Sequence, residues 1–104
     1  MRTPKKEFLR DDSNINIQIY KQVRNRLVEN GYILLNIPSW GFYYKKRNIV
    51  VKIFPTVRFF GDDTPRAHLY LWVYKKGELI DHRLIYNDGI EKFFHYLYTQ
   101  EGFI

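Results

Sequence analysis

The sequence predicts an α+β domain in which an N-terminal helix precedes an antiparallel sheet of four or five strands and a C-terminal helix follows it. Three observations support this class. Apolar residues repeat with helical spacing before Gly31 and again after Asp88, they alternate with polar residues in between, and turn residues separate the alternating runs. We expect both helices on one face of the sheet, because an amphipathic helix and a sheet must each cover an apolar face.

The size and composition predict one folded unit. The chain has 104 residues, of which 45% are hydrophobic and 18% aromatic. A chain of this length buries about two-thirds of its unfolded surface when it folds, and the composition is not that of a disordered protein. We therefore predict a single domain over residues 1–104, with residues 1–12 as an arm in which alternating charges surround Phe8 and Leu9.

The first helix is predicted over residues 14–30. Every fourth residue from Ile15 to Leu27 is apolar, which forms one stripe along a helix, although the alternation over residues 15–19 also fits a strand. Helix is favoured because Ser13 or Asn14 can cap its start and Asn30-Gly31 supplies a left-handed stop.

The hydrophobic period changes to two after Gly31, which is typical of strands. Pro55 cannot donate a hydrogen bond, so residues 57–60 are either an edge continuation or a bulged bend. Turns or loops are predicted at residues 38–41, 46–48 and 61–65. The predicted strands cover residues 32–37, 42–45, 49–54, 67–74 and 79–86.

The last two strands form the clearest hairpin, with Lys76-Gly77 as a two-residue loop. In that register Trp72 lies opposite Asp81 and Tyr70 lies opposite Arg83. A longer loop with a bulge at Gly77 would flip the second strand and bury both charges, so we favour the first register. It assigns these residues to the aliphatic core face: Leu69, Leu71, Val73, Ile80, His82, Leu84 and Tyr86.

The opposite face of this hairpin is predicted to be aromatic and polar. Rows of rings can stack unpaired bases, and Tyr, Trp and Arg are also common anchors of protein interfaces. The same rings would be structural if a helix or the N-terminal arm covered them. The residues on this predicted face are His68, Tyr70, Trp72, Tyr74 and Arg83.

The second helix is predicted after Asp88. Asp88 and Glu91 have the spacing of a capping box. The residues of its apolar face are Ile90, Phe93, Phe94, Leu97 and Tyr98.

The net charge of +6 is unevenly distributed. Residues 32–60 contain five cations and no acid, whereas residues 77–104 contain five acids and two cations. A basic side attracts polyanions by counterion release, although the Lys45–Arg47 run by itself also fits a solvated turn. The cations of the basic segment are Lys45, Lys46, Arg47, Lys52 and Arg58.

Several chemistries are excluded or unsupported. The chain has no Cys, which excludes disulfides, thiolate metal sites and a Cys nucleophile. The three His lack metal-ligand spacing, and there is no glycine-rich phosphate loop or serine triad. We predict no catalytic residue, no metal and no cofactor. No apolar run approaches the length of a membrane span, so we expect a cytoplasmic protein without membrane contact.

One segment resembles a known family in its pattern. Residues 27–53 are similar to the opening of HicA-type RNA-cleaving toxins, which are small basic α-β-β-β-α domains with a catalytic His after a Gly-Ser loop. Here the loop reads Pro38-Ser39-Trp40-Gly41, with Trp40 at the place of that His. The absence of a His at this place in the loop agrees with the prediction that the protein is not an enzyme.

The leading functional prediction is a small basic domain that binds nucleic acid or a nucleic-acid-binding protein complex. The basic segment and the aromatic hairpin face would carry this binding. The alternative is a small inhibitor or adaptor of the mobile-element type, whose aromatic surface grips one protein partner. The oligomeric state is not predicted.

Overall fold

A computed structural model of the chain describes residues 15–38, 41–55, 68–86 and 89–102. Within these residues it shows two helices and one five-stranded sheet, and thereby confirms the predicted α+β class. The elements are α1 (Ile15–Glu29), β1 (Ile33–Leu35), β2 (Phe42–Lys46), β3 (Ile49–Pro55), β4 (Leu69–Lys75), β5 (Glu78–Ile85) and α2 (Ile90–Glu101).

Helix α1 confirms the helical interpretation of the isoleucine-rich segment. Its inward side chains, among them Ile19, Val23 and Leu27, are buried. The helix ends where the sequence predicts, because Gly31 adopts a positive φ of 92° and the N–H of Tyr32 donates to the carbonyl oxygen of Leu27 at 2.9 Å. The predicted caps Ser13 and Asn14 lie outside the described residues.

The five strands follow one another in chain order across the sheet, and all neighbours are antiparallel. Four strands lie within a few residues of their predicted bounds. Strand β1 is shorter than predicted, with three residues instead of the span 32–37. The possible strand at residues 57–60 lies outside the described part of the chain.

Both helices cover the same face of the sheet, as predicted. From α1, the ring of Tyr20 lies 4.3 Å from that of Phe42, and its hydroxyl is 2.7 Å from the hydroxyl of Tyr44. From α2, the ring of Phe93 lies beneath the Arg83 guanidinium of β5, 5.8 Å away. The inward strand residues, including Val51 and Leu71, are completely buried beneath these helices.

The two helices also bind each other. Arg26 of α1 forms an ion pair with Glu91 of α2 at 2.6 Å, and its guanidinium lies 4.2 Å from the centre of the Phe94 ring. The amide of Asn30 donates to the hydroxyl of Tyr98 at 3.1 Å. Helix α2 buries four of the five predicted apolar residues, leaves Tyr98 partly buried, and ends at Gly102, whose φ is 85°. Gly89 occupies its N-cap position, and Asp88 of the predicted capping box lies outside the described residues.

The predicted register of the last hairpin is wrong beyond its turn. Lys76 and Gly77 both adopt positive φ, and Tyr74 lies opposite Leu79 as predicted. The register then shifts between Val73 and Tyr74, because Ile80 is an extra residue in β5, a β-bulge. From that point Asp81 lies opposite Val73 and Arg83 lies opposite Leu71.

The bulge turns β5 over relative to the prediction. Asp81 and Arg83 face the helices, where they form an ion pair at 2.7 Å and Arg83 lies over the rings of Phe93 and Tyr96. These contacts offset the free-energy cost of partly burying two charges. That cost is why the sequence analysis disfavours the bulged register. The predicted core residues that are instead exposed are Ile80, His82, Leu84 and Tyr86.

Candidate functional site

Two hairpin turns lie side by side at one end of the sheet. The β2–β3 turn contains Arg47 and Asn48, and the β4–β5 turn contains Lys76 and Gly77. The backbone N–H of Lys76 donates to the carbonyl oxygen of Asn48 at 2.9 Å, which joins the two turns. Arg47 and Lys76 have positive φ values of 52° and 54°, so each turn has a cation in a conformation that favours Gly or Asn.

The turns and the end of α2 enclose a basic cleft of about 460 Å³. Four of its residues are cations and one is an acid, so the cleft attracts anions. The residues that line it are Lys46, Arg47, Asn48, Ile49, Lys75, Lys76, Gln100, Glu101 and Gly102. We refer to this set below as the basic cleft.

Two cations of the basic cleft are held in place by α2. Lys46 lies 2.9 Å from the carboxylate of Glu101, whose side chain is only 4% exposed. Lys75 donates to the carbonyl oxygen of Gln100 at 3.1 Å, at the negative end of the helix dipole. Burial and the neighbouring Glu101 carboxylate raise the pKa of the Tyr32 phenol, which keeps that hydroxyl neutral beside the ion pair.

The other two cations are exposed. Among the described residues, neither Arg47 nor Lys76 forms an ion pair, and both side chains extend from the tips of the turns. Lys45, on the opposite side of β2 from Lys46, is exposed as well. A phosphate entering the cleft would therefore meet two fixed and two exposed cations.

The sheet face opposite the helices is aromatic. Its side chains are half-buried or exposed, and within the described part of the chain no helix covers them. The ring of Trp72 lies between those of Tyr70 and Tyr74, with centroid distances of 5.7 and 6.4 Å. The residues of this aromatic face are Tyr43, Lys52, Phe54, Tyr70, Trp72, Tyr74 and His82.

Lys52 supplies a positive charge near the centre of the aromatic face. Its ammonium lies 4.3 Å from the centre of the Tyr74 ring and 4.9 Å from that of Tyr43. Both are cation–π distances, so the two rings hold the charge in position. Tyr74 directly precedes Lys75, and the alternation of a strand places the two side chains on opposite faces of the sheet. The aromatic face and the basic cleft therefore meet at the turn end of the sheet, where Arg47 and Lys76 are exposed.

Phe54 and His82 complete the aromatic face. The ring of Phe54 lies so close to Gly41 that a Cβ atom there would come within 2.5 Å of it. His82 stacks on Tyr70 with an interplanar angle of 11°, and its Nδ1 lies 3.1 Å from the Tyr70 hydroxyl. His82 is on this face because of the bulge at Ile80.

The structure gathers most of the predicted binding residues into two groups, on opposite faces of the sheet. Lys46 and Arg47 lie in the basic cleft, while Lys52, Tyr70, Trp72 and Tyr74 lie on the aromatic face, and Lys45 is exposed at its margin. Two residues are elsewhere: Arg83 is on the helix-covered face, and His68 lies 2.6 Å from the Asn16 side chain of α1. Arg58 lies outside the described residues.

Sequence reasoning missed Lys75, Lys76 and His82 as members of the candidate site. The sequence indicates only a hairpin turn at Lys75 and Lys76. The available signal was the chain order of the strands: in an up-and-down sheet, alternate turns lie at the same end. Two basic turns separated by a single intervening connection therefore come together.

Comparison of the chain with protein-family models, with curated proteins and with solved structures finds no match. Within the described residues, no three His, Cys, Asp or Glu side chains form a group that could hold a metal ion. Neither α1 nor α2 is long and apolar enough to cross a membrane.

Proposed function

We propose that this protein binds single-stranded nucleic acid, with phosphates in the basic cleft and bases on the aromatic face. The observation that carries the proposal is the convergence of four cations at the two joined turns, at the end of a sheet whose face opposite the helices carries a row of partly exposed rings. Phosphate contacts and base stacking are the two contributions that single-strand-binding proteins combine.

The turn geometry supports a functional role for the cations. A residue other than Gly in the left-handed region costs about 1 kcal/mol, and Asn or Gly would avoid that cost. Arg47 and Lys76 both adopt this conformation at the lip of the cleft. A cation at both strained positions fits a role of charge in binding at this point more readily than a role in stability.

The aromatic face supports the choice of single strands. The Trp72 and Tyr70 rings are half-buried, so each leaves part of its surface open to a base, and stacking contributes about 1–3 kcal/mol per base. A duplex keeps its bases stacked inside and offers these rings nothing to stack on. Lys52 lies among the rings and is placed to contact a phosphate between two stacked bases.

The test is a titration of fluorescently labelled oligonucleotides at several salt concentrations. We expect single-stranded DNA or RNA to bind more tightly than a duplex of the same length. The logarithm of the affinity should fall with the logarithm of the salt concentration, by about 0.7 for each phosphate contact. No binding at low salt, or a preference for the duplex, would reject the proposal.

A second candidate function is the inhibitor or adaptor that grips a protein partner. The mutual contacts among Tyr70, Trp72, Tyr74 and Phe54 favour it, because clustered aromatic rings are typical anchors of protein interfaces. Binding to a protein partner through these rings would change little with salt, which separates it from phosphate binding in the same titration.

A further inference from the structure

Strand β5 is a long edge strand with exposed apolar side chains. It has eight residues and pairs with β4 on one side, and no described strand pairs with its other side. Leu79, Ile80 and Leu84 on this strand are 45%, 37% and 46% exposed. The opposite edge of the sheet, β1, has only three residues. A long apolar edge is a template for pairing with another strand.

The charges of β5 are complementary to those of the same strand running in the opposite direction. In an antiparallel pair of two β5 strands centred on His82, Asp81 of each copy lies opposite Arg83 of the other. In the same register Ile80 lies opposite Leu84, so apolar residues meet outside the charged pairs. The strand is therefore self-complementary in charge and in polarity.

The neighbouring registers of the same pairing are unfavourable. A change of centre to Asp81 or to Arg83 places two like charges directly opposite each other. If the twofold axis lies between two residues, each residue that faces the helices is paired with a residue that faces away from them. Directly opposite residues of an antiparallel pair must face the same side of the sheet, so such a register is not allowed. Among the registers centred on residues 81 to 83, the one centred on His82 satisfies both the charges and the pleat.

We infer that the protein forms a symmetric homodimer through antiparallel pairing of its two β5 strands, with His82 on the twofold axis. The twofold axis is perpendicular to the sheet, because it relates antiparallel strands of one sheet. The result is a continuous sheet with all helices on one face and the two aromatic faces side by side on the other. This inference rests on the β5 edge alone and is independent of nucleic-acid binding.

A disulfide scan tests the axis directly, because the natural chain has no Cys. Residues directly opposite in an antiparallel pair have Cβ atoms about 4.5–5.5 Å apart, close to disulfide distance. We expect His82→Cys to form an intermolecular disulfide rapidly under mild oxidation. The matched control is Leu79→Cys, also exposed and on the same strand, whose two copies would lie about 20 Å apart at 3.4 Å per residue. Equal rates for the two variants would overturn the inference.

A charge-rescue pair tests the register without touching buried residues. Ile80→Lys with Leu84→Lys places like charges opposite each other, and the dimer should dissociate at least tenfold more readily. Ile80→Lys with Leu84→Glu places opposite charges there, and dimerisation should recover toward that of the natural protein. Sedimentation equilibrium measures the dissociation constants, and circular dichroism verifies that both variants are folded. A natural protein that is monomeric at its highest soluble concentration, or two double variants that dimerise equally, would also overturn the inference.

Discussion

The backbone N–H of Lys76 donates a hydrogen bond of 2.9 Å to the carbonyl oxygen of Asn48, and this bond joins the two basic turns of the sheet. Neither hairpin forms the basic cleft by itself, since Lys46 and Arg47 come from one and Lys75 and Lys76 from the other. The candidate site therefore exists only in the folded sheet. The exposed cations at its lip can be changed with little effect on folding.

The first prediction concerns those exposed cations. The double variant Arg47→Asn, Lys76→Asn should bind single-stranded oligonucleotides more weakly, and its salt slope should be smaller by about 1.4, the contribution of two phosphate contacts. Its free energy of unfolding should stay the same or rise by about 1 kcal/mol, because Asn adopts positive φ more readily than Arg or Lys. Anisotropy titrations and urea unfolding measure the two effects.

The control for this variant is Lys92→Gln, which removes an exposed cation from the first turn of α2. Lys92 lies about 12 Å along the helix from Gln100 at the cleft, from the rise per residue. We expect it to keep the salt slope of the natural protein. Equal losses in the two variants would indicate that only the overall charge matters and not the cleft.

The second prediction concerns the central ring of the aromatic face. Trp72→Ala should lower the affinity for single strands by about 1–3 kcal/mol, the contribution of one stacked base. Because Trp72 is half-buried among aromatic neighbours, it should also lower the free energy of unfolding, by about 1–3 kcal/mol. Trp72→Phe keeps a ring and should retain most of both quantities.

Fluorescence provides an independent measurement for the same residue. In a Trp40→Phe background, Trp72 is the remaining tryptophan, and a stacked base should quench its emission. Full affinity in the folded Trp72→Ala variant would show that this ring does not contact the ligand. An unfolded variant would assign Trp72 to the core.

The third prediction concerns stability at alkaline pH. The hydroxyls of Tyr20 and Tyr44 lie 2.7 Å apart, and burial raises the pKa of both phenols above the ordinary value of 10.0. The unfolded chain thus loses these protons at lower pH than the folded protein does. The stabilisation by the neutral pair is fully present below pH 10 and is lost as pH rises further, by up to about 1.4 kcal/mol per pH unit for each tyrosine.

Urea unfolding between pH 8 and pH 12 measures this loss. The double variant Tyr20→Phe, Tyr44→Phe has neither phenol, so its stability should fall less steeply above pH 10 than that of the natural protein. Tyr32 keeps its contribution in this variant, because burial raises the pKa of its phenol as well. Parallel curves for the two proteins would contradict the prediction.

The fourth prediction tests the bulged register of β5. Arg83→Ala should lower the free energy of unfolding by about 1–2 kcal/mol, because it removes the ion pair with Asp81 and the contacts with two rings of α2. Leu84→Ser should change it by less than about 0.5 kcal/mol, because Leu84 is exposed. Both are measured at low protein concentration. A register without the bulge reverses the order of the two effects.

Local patterns in the sequence predict the elements and most of their faces. Apolar spacing, Asn30-Gly31 and Lys76-Gly77 predict α1 and the last hairpin because periodicity and turn chemistry are local properties. The alternation in β4 separates Leu69, Leu71 and Val73 from the aromatic side chains for the same reason. These local patterns were sufficient to predict the α+β class and the ring row of Tyr70, Trp72 and Tyr74.

The orientation of the β5 side chains depends on contacts that form in the folded protein. A single extra residue, Ile80, reverses every side chain that follows it, and no local pattern marks it as a bulge. The sequence predicts Asp81 and Arg83 on the face away from the core, because burying a charge costs free energy. The structure accommodates them because α2, the helix that follows β5, supplies the rings of Phe93 and Tyr96. The basic cleft likewise forms only when the strands pair and bring the two turns together. Contacts between segments that are distant in sequence leave no pattern in either segment alone, so the sequence does not show the cleft.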